Sequence, residues 1–281
     1  MNALEQLALA CQGSWLTLRA MRTGRLWAPW LALGALQSAA LLALVGFAHP
    51  LLAWAVAPLV RAVGGEQALH YPDFFRSLPF LYSRAGLVLG ALAGAIASGW
   101  STRLFAAHWR RHPEAPGEAW AEAAPHALAL VLGQALFTAL VLAFTRQFAL
   151  VFVDQPGLVR RIGALLALGG VAALQALFLY FPALVVLEHH GLWRALGSLP
   201  RTWARGFWSA LLLAAASLLL LLPLDALGQR SDLLVSRGTP ELVAWLTGVQ
   251  LLVGLVVSFL LAGSSTLVYL GAVAGEPGAE G

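Results

Sequence analysis

The chain has 281 residues, is 60% hydrophobic and carries 11% charged side chains, against about 25% in soluble domains. That composition excludes a water-soluble globule, and the bilayer becomes the solvent to reason with. The formal charge of +4 comes from arginines spread along the chain without a single lysine, and no basic stretch has the form of a nucleic-acid module, so no nucleic-acid partner is expected.

Residues 3–20 place Leu4, Leu7, Cys11, Trp15 and Leu18 on one helical stripe, with Glu5, Gln12 and Arg19 off it. The pattern predicts an amphipathic segment over 1–26 that lies on the membrane surface, ahead of Arg19, Arg22 and Arg25. Cys11 is the single cysteine, so no intramolecular disulfide can form. No cleavable signal peptide is expected, and the first span is expected to direct insertion itself.

A membrane domain over 27–274 follows. A spanning helix needs roughly 20 mainly apolar residues. Six runs meet that need, over 27–48, 85–107, 125–144, 162–187, 207–224 and 242–273. After His49-Pro50, the apolar run 51–63 is too short to cross. It predicts a re-entrant or interfacial helix, or a continuation of the first span past a kink. Residues 275–281 predict a short disordered tail. The expected fold is an all-α integral membrane protein: a six-transmembrane-helix bundle with amphipathic interfacial helices. Six spans put both termini on one side. With the N-terminus inside, nine arginines fall on inner segments and eight on outer ones, so the positive-inside rule does not choose an orientation.

Charged groups at membrane depth are functional hypotheses by default. The middles of the six runs hold none; Glu188 and Asp225 stand at run ends. This argues against a charged proton or sodium relay, an intramembrane protease and a buried metal site. Uncharged polar groups are present: Gln37, Gln134, Gln175 and Gln250 fall in the first, third, fourth and sixth runs. They read as hydrogen-bonding glue between helices, or alternatively as the lining of a cavity. In the second run Gly86, Gly90, Gly94 and Ser98 recur every four residues, the spacing of a helix-packing groove or of a partner interface.

The segment 188–208, EHHGLWRALGSLPRTWARGFW, is the wettest long stretch between apolar runs. Metal binding by Glu188, His189 and His190 fails on geometry, because adjacent helical residues point about 100° apart. From Gly191 on, Leu192, Leu196, Leu199 and Trp203 share one side of a helix, and Arg194, Arg201 and Arg205 lie off it. Trp193 and Trp208 suit the headgroup boundary. The prediction is a short interfacial helix leading into the fifth span. Two further segments are open. His70, Asp73 and Arg76 sit in an aromatic stretch, 70–84, expected outside the membrane. Glu114, Glu118 and Glu122 are expected to share a face of a solvated helix in the loop 108–126.

Glu188, Gly191, Ala195, Leu196, Ser198, Arg205, Gly206, Phe207 and Trp208, with FPALVVLE before them and Leu267-Val268-Tyr269-Leu270 near the end, resemble a known signature. It is that of a bacterial six-helix inner-membrane domain of the YciC type, also found attached to some glycerophosphoryl diester phosphodiesterases. The similarity is specific over about 30 residues, and the usual charged end after the final Tyr is missing. The resemblance implies an inner-membrane location with both termini cytoplasmic. It brings no active site, since the family has no settled chemistry.

The expected function is therefore non-enzymatic: an accessory, scaffold or assembly subunit of a bacterial envelope complex, in contact with membrane lipids and with a protein partner or a second copy. No cofactor is expected. The alternative is a permease-like protein for a lipid or an apolar solute, with the glutamines and residues 51–63 lining its path.

Overall fold

The computed structural model describes residues 2–46, 49–152, 155–273 and 275. All regular structure among them is helical. The end of the first apolar run at 47–48 and the expected tail beyond 275 lie outside the described residues.

Thirteen α-helices are described: α1 Ala3–Ala20, α2 Ala28–Val45, α3 Pro50–Gly64, α4 Asp73–Leu89, α5 Ala95–Trp109, α6 Pro116–Ala123, α7 Ala127–Phe152, α8 Gly157–Phe178, α9 Phe181–Val186, α10 Leu192–Arg205, α11 Phe207–Gly228, α12 Ser231–Arg237 and α13 Glu241–Val268. Joined through short 3₁₀ or π turns, they give six helices long and apolar enough to cross a membrane: Gly24–Val45, Asp73–Trp109, Pro116–Phe152, Gly157–Val186, Phe207–Gly228 and Glu241–Ala272. In hydrocarbon every backbone N–H and C=O must be satisfied inside its own segment, and a continuous helix does so. The expected all-α six-span class is the one observed.

The second helix starts twelve residues earlier than its apolar run. Residues 73–84, expected as a wet aromatic segment, are the first turns of α4. Asp73 stands in its first turn, where the helix dipole favours a negative charge, and it pairs with Arg76 at 2.6 Å. Arg84 is carried inside the helix, with its guanidinium 4.8 Å from the Phe80 ring centroid. The run 51–63 folds as the separate helix α3, with His49 Nδ1 accepting from the Leu51 N–H at 3.3 Å.

The chain forms two compact units. The first comprises Met1–Trp30, Ala91–Leu218 and Ser258–Gly281. Its core gathers Leu130, Tyr180, Phe181, Leu184, Val185, Leu199, Leu213, Val268, Tyr269 and Leu270. The second comprises Leu31–Gly90 and Leu219–Val257. There Val60 of α3, Ala68, and Phe74, Leu78 and Leu81 of α4 form the core.

One sequence expectation is corrected here, and another is narrowed. No described residue of another element lies against the Gly86 and Gly90 end of the line Gly86, Gly90, Gly94 and Ser98, and the partner-interface alternative is untouched by this. A Cβ on Gly86 or Gly90 would meet nothing within 4 Å, and Ser98 Oγ bonds back to the Ala95 carbonyl at 2.7 Å. A π turn, Gly90–Gly94, falls inside the line and adds a residue to the turn. Close approach occurs instead at Gly99, where Leu130 and Val186 fill the space of the missing side chain. The loop 108–126 is also not a free acidic face. Arg103, largely buried, is held by Glu114 through Nε at 3.0 Å and Nη2 at 2.6 Å, and its Nη2 reaches Glu122 at 2.8 Å. Glu114 precedes α6, and Glu118 accepts from the Ala115 N–H at 3.0 Å as an N-terminal cap.

Candidate functional site

The segment 188–208 becomes the polar centre of the first unit. α9 ends at Val186, and the chain must turn before α10 begins at Leu192. His189 makes the turn with a left-handed φ of 54°, a conformation uncommon for a residue with a Cβ. The His190 N–H reaches back to the Leu184 carbonyl at 3.2 Å and closes the loop.

The side chains of this loop are tied to two other elements and to one another. Tyr269, from the turn after α13, donates its hydroxyl to Glu188 Oε1. His190 Nε2 lies 3.4 Å from Glu188 Oε2. His189 Nδ1 faces His126 Nε2 at 3.1 Å, so one proton is shared between the two rings. Tyr180, which is buried, donates to the Gly206 carbonyl at 3.2 Å and lies beside the Tyr269 ring, with centroids 6.0 Å apart. His190 Nδ1 and Trp203 Nε1 are buried without a hydrogen-bond partner among the described residues.

At the other end of α10 the chain bends at Gly206 before α11. A Cβ there would meet the Tyr180 hydroxyl at 2.6 Å, so the bend needs glycine for close approach. Helix ends leave backbone groups unpaired. Here Gln6 of α1 satisfies both sides of the bend. Its Nε2 donates to the Arg205 carbonyl at 2.9 Å, and its Oε1 accepts from the Trp208 N–H at 3.0 Å. Ser209 Oγ then donates to the Gln6 carbonyl at 2.6 Å.

This seat gives α1 a protein contact on the side opposite its apolar stripe, which the sequence reading did not name. Gln6, Ala10, Gly13, Thr17 and Ala20 are its buried residues, whereas Leu4, Cys11, Trp15 and Leu18 are exposed. Small and polar residues let α1 approach the protein. Gly13 comes close to Ser264 of α13, and Ser264 Oγ lies 3.4 Å from Thr17 Oγ1. In a membrane protein the apolar stripe suits lipid, and the small-polar stripe suits the neighbour. Gln6 drew no notice in the sequence because it stood off the leucine stripe. The spacing of Gln6, Ala10, Gly13, Thr17 and Ala20 was the signal available.

Of the other predicted residues, Glu188 is bonded as described. Trp193 is 81% exposed at the start of α10, and Arg194, Arg201 and Arg205 are exposed along it. Leu192, Leu196 and Trp203 pack on the core with the buried Leu199, as the stripe predicts. Trp208 stacks edge-on with Phe207 at 4.8 Å. Among the glutamines, Gln175 Nε2 donates to Ser217 Oγ of α11 at 3.0 Å, and Gln250 donates to Asp225. Gln37 and Gln134 bond to no described residue. Among the described residues no three His, Cys, Asp or Glu side chains are placed to hold a metal ion.

Fold and site together define a multi-pass α-helical membrane protein whose N-terminal helix is keyed into the bend between α10 and α11. No protein-family model matches the chain, and neither a curated protein nor a solved structure is similar to it.

Proposed function

We propose that the protein is a non-enzymatic membrane component: an accessory, scaffold or assembly subunit of an envelope complex, in contact with lipid and with a protein partner. One observation carries the reading. In the first unit four polar side chains join elements to one another. Gln6 joins α1 to the α10–α11 bend, Gln175 joins α8 to α11, Trp30 Nε1 joins α2 to Ser101 of α5 at 3.0 Å, and Tyr269 joins the end of α13 to Glu188. Groups spent on such bonds fix an architecture and hold a surface for others. The surface includes the exposed Leu4, Trp15 and Leu18 of α1 and Trp193 of α10.

The resemblance of residues 188–208 to the six-helix inner-membrane domain supports the same reading, and with it a bacterial inner membrane and cytoplasmic termini. The test is purification of the full chain from its native membrane in a mild detergent or lipid nanodisc. A stoichiometric partner is the expected result. Recovery of a lone, inert monomer under several conditions would overturn the proposal.

A further inference from the structure

The second unit contains a carboxylate that stands in the sequence at the end of the fifth apolar run. The helix does not stop there. α11 continues through Pro223 to Gly228, so Asp225 lies inside it. Gln250, nine residues into α13, donates its amide Nε2–H to Asp225 Oδ1. Nine residues make about 13 Å of helix. The exposed large side chains around the pair are apolar on both helices: Leu222 and Leu227 on α11, and Trp245, Val249 and Leu252 on α13. A surface of that composition on a helix long enough to span suits hydrocarbon, and Asp225 stands on it three residues before the end of α11.

No cation accompanies the carboxylate. On the adjoining segments stand Arg230, Asp232, Arg237 and Glu241. Asp232 approaches Arg76 at 3.9 Å, and Glu241 accepts the Tyr71 hydroxyl at 3.4 Å. Elsewhere in the unit Arg61 pairs with Glu66 at 2.5 Å, Arg76 pairs with Asp73 at 2.6 Å, and Arg84 lies over Phe80. None of these forms an ion pair with Asp225 among the described residues. A lone ionised carboxylate taken from water loses more than one neutral donor restores.

We propose that Asp225 is a proton-binding carboxyl within the apolar band of the membrane, with Gln250 as the group that holds it in both protonation states. The carboxamide carries a donor and an acceptor. To the ionised form it offers Nε2–H. To the neutral acid it offers Oε1 once the amide turns, and the acid O–H then donates. The ligand is a proton, and the pair keeps its bond whether or not the proton is present. This inference does not depend on the scaffold reading.

The test is carbodiimide labelling of the full-length protein in lipid vesicles, read on peptides by mass spectrometry. A protonated carboxyl adds across one C=N bond of dicyclohexylcarbodiimide: a C–O bond forms, and the acid proton moves to nitrogen. The O-acylisourea then rearranges to a stable N-acylurea. At neutral pH the apolar reagent is expected to label Asp225 at least about tenfold faster than the exposed Asp232, the population ratio made by one pH unit. The rate is expected to fall as pH rises. A charged, water-soluble carbodiimide is expected to reverse the preference. Asp225→Asn, which still accepts from Gln250, is expected to fold and lose the adduct. Gln250→Leu removes a bond made to both forms but stronger to the charged one, so labelling is expected to persist to higher pH. The inference is overturned if the charged reagent labels Asp225 as fast as Asp232, or if the apolar reagent leaves Asp225 unlabelled.

Discussion

Replacing Gln6 by leucine removes two hydrogen bonds and leaves the packing volume of the side chain nearly unchanged. The Arg205 carbonyl loses its donor and the Trp208 N–H loses its acceptor, both at helix ends where no intrahelical partner exists. A buried group left unpaired costs about 1–3 kcal/mol, which bounds the pair at about 6 kcal/mol. Interhelical bonds in one membrane protein average only about 0.6 kcal/mol, which puts the floor near 1 kcal/mol. Gln6 is 6% exposed, but Arg205 and Trp208 are exposed beside it, so water reaches part of the vacated site. The expected loss is therefore about 1–3 kcal/mol, or about 5- to 150-fold in the opening of α1 from its seat. Hydrogen exchange in nanodiscs reads this directly. Peptides covering 3–20 and 206–211 should exchange faster by that factor, and peptides of α4 should not change. Gln6→Glu keeps the acceptor for Trp208 and loses the donor for Arg205, so it should fall between wild type and Gln6→Leu. Unchanged protection in both peptides of Gln6→Leu would refute the reasoning.

Gly206→Ala should destabilise by about 1–3 kcal/mol through overpacking against Tyr180. The double variant with Tyr180→Phe, which removes the clashing hydroxyl, should be less than additive in thermal unfolding. Gly133→Ala and Gly99→Ala should lower the unfolding temperature, because the Phe181 ring and Leu130 occupy the space a Cβ needs. Gly86→Ala and Gly90→Ala, with nothing within 4 Å, should not lower it, and the helix propensity of alanine contributes up to about 1 kcal/mol in their favour. Arg103→Lys should cost about 1–2 kcal/mol, since an ammonium cannot reproduce the forked contact with Glu114 while also reaching Glu122. Faster exchange of the 114–123 backbone would register that loss.

The six spans were legible because hydrocarbon imposes a length and a composition that few other structures share. Their ends were not. Asp73, Arg84 and Asp225 are polar, yet each is helical, because the helix satisfies their backbone whatever the side chain meets. The stripe of α10 was read correctly, since Leu199 is buried and Trp193 exposed. For α1 the same logic gave the apolar stripe, which is exposed, but did not show that the small and polar side packs on the protein. Period alone gives two faces and does not say which of lipid, water or protein takes each. The glycine line shows the same limit: its spacing allows a groove or a partner interface and does not choose between them. Non-local pairs lay beyond the sequence altogether. Tyr269 and Glu188 are 81 residues apart, and Gln6 and Trp208 are 202 apart.

The claim on which the account stands is that the chain crosses the bilayer six times. Single cysteines introduced into a Cys11→Ser background, probed with a membrane-impermeant maleimide on intact spheroplasts, test it directly. Gln155→Cys and Ser236→Cys should be labelled from one side of the membrane and Glu118→Cys and Gly197→Cys from the other, so that one pair reacts before permeabilisation and the other pair only after it. Labelling of Glu118→Cys and Gln155→Cys from the same side would mean that the helix between them does not cross, and would contradict the account.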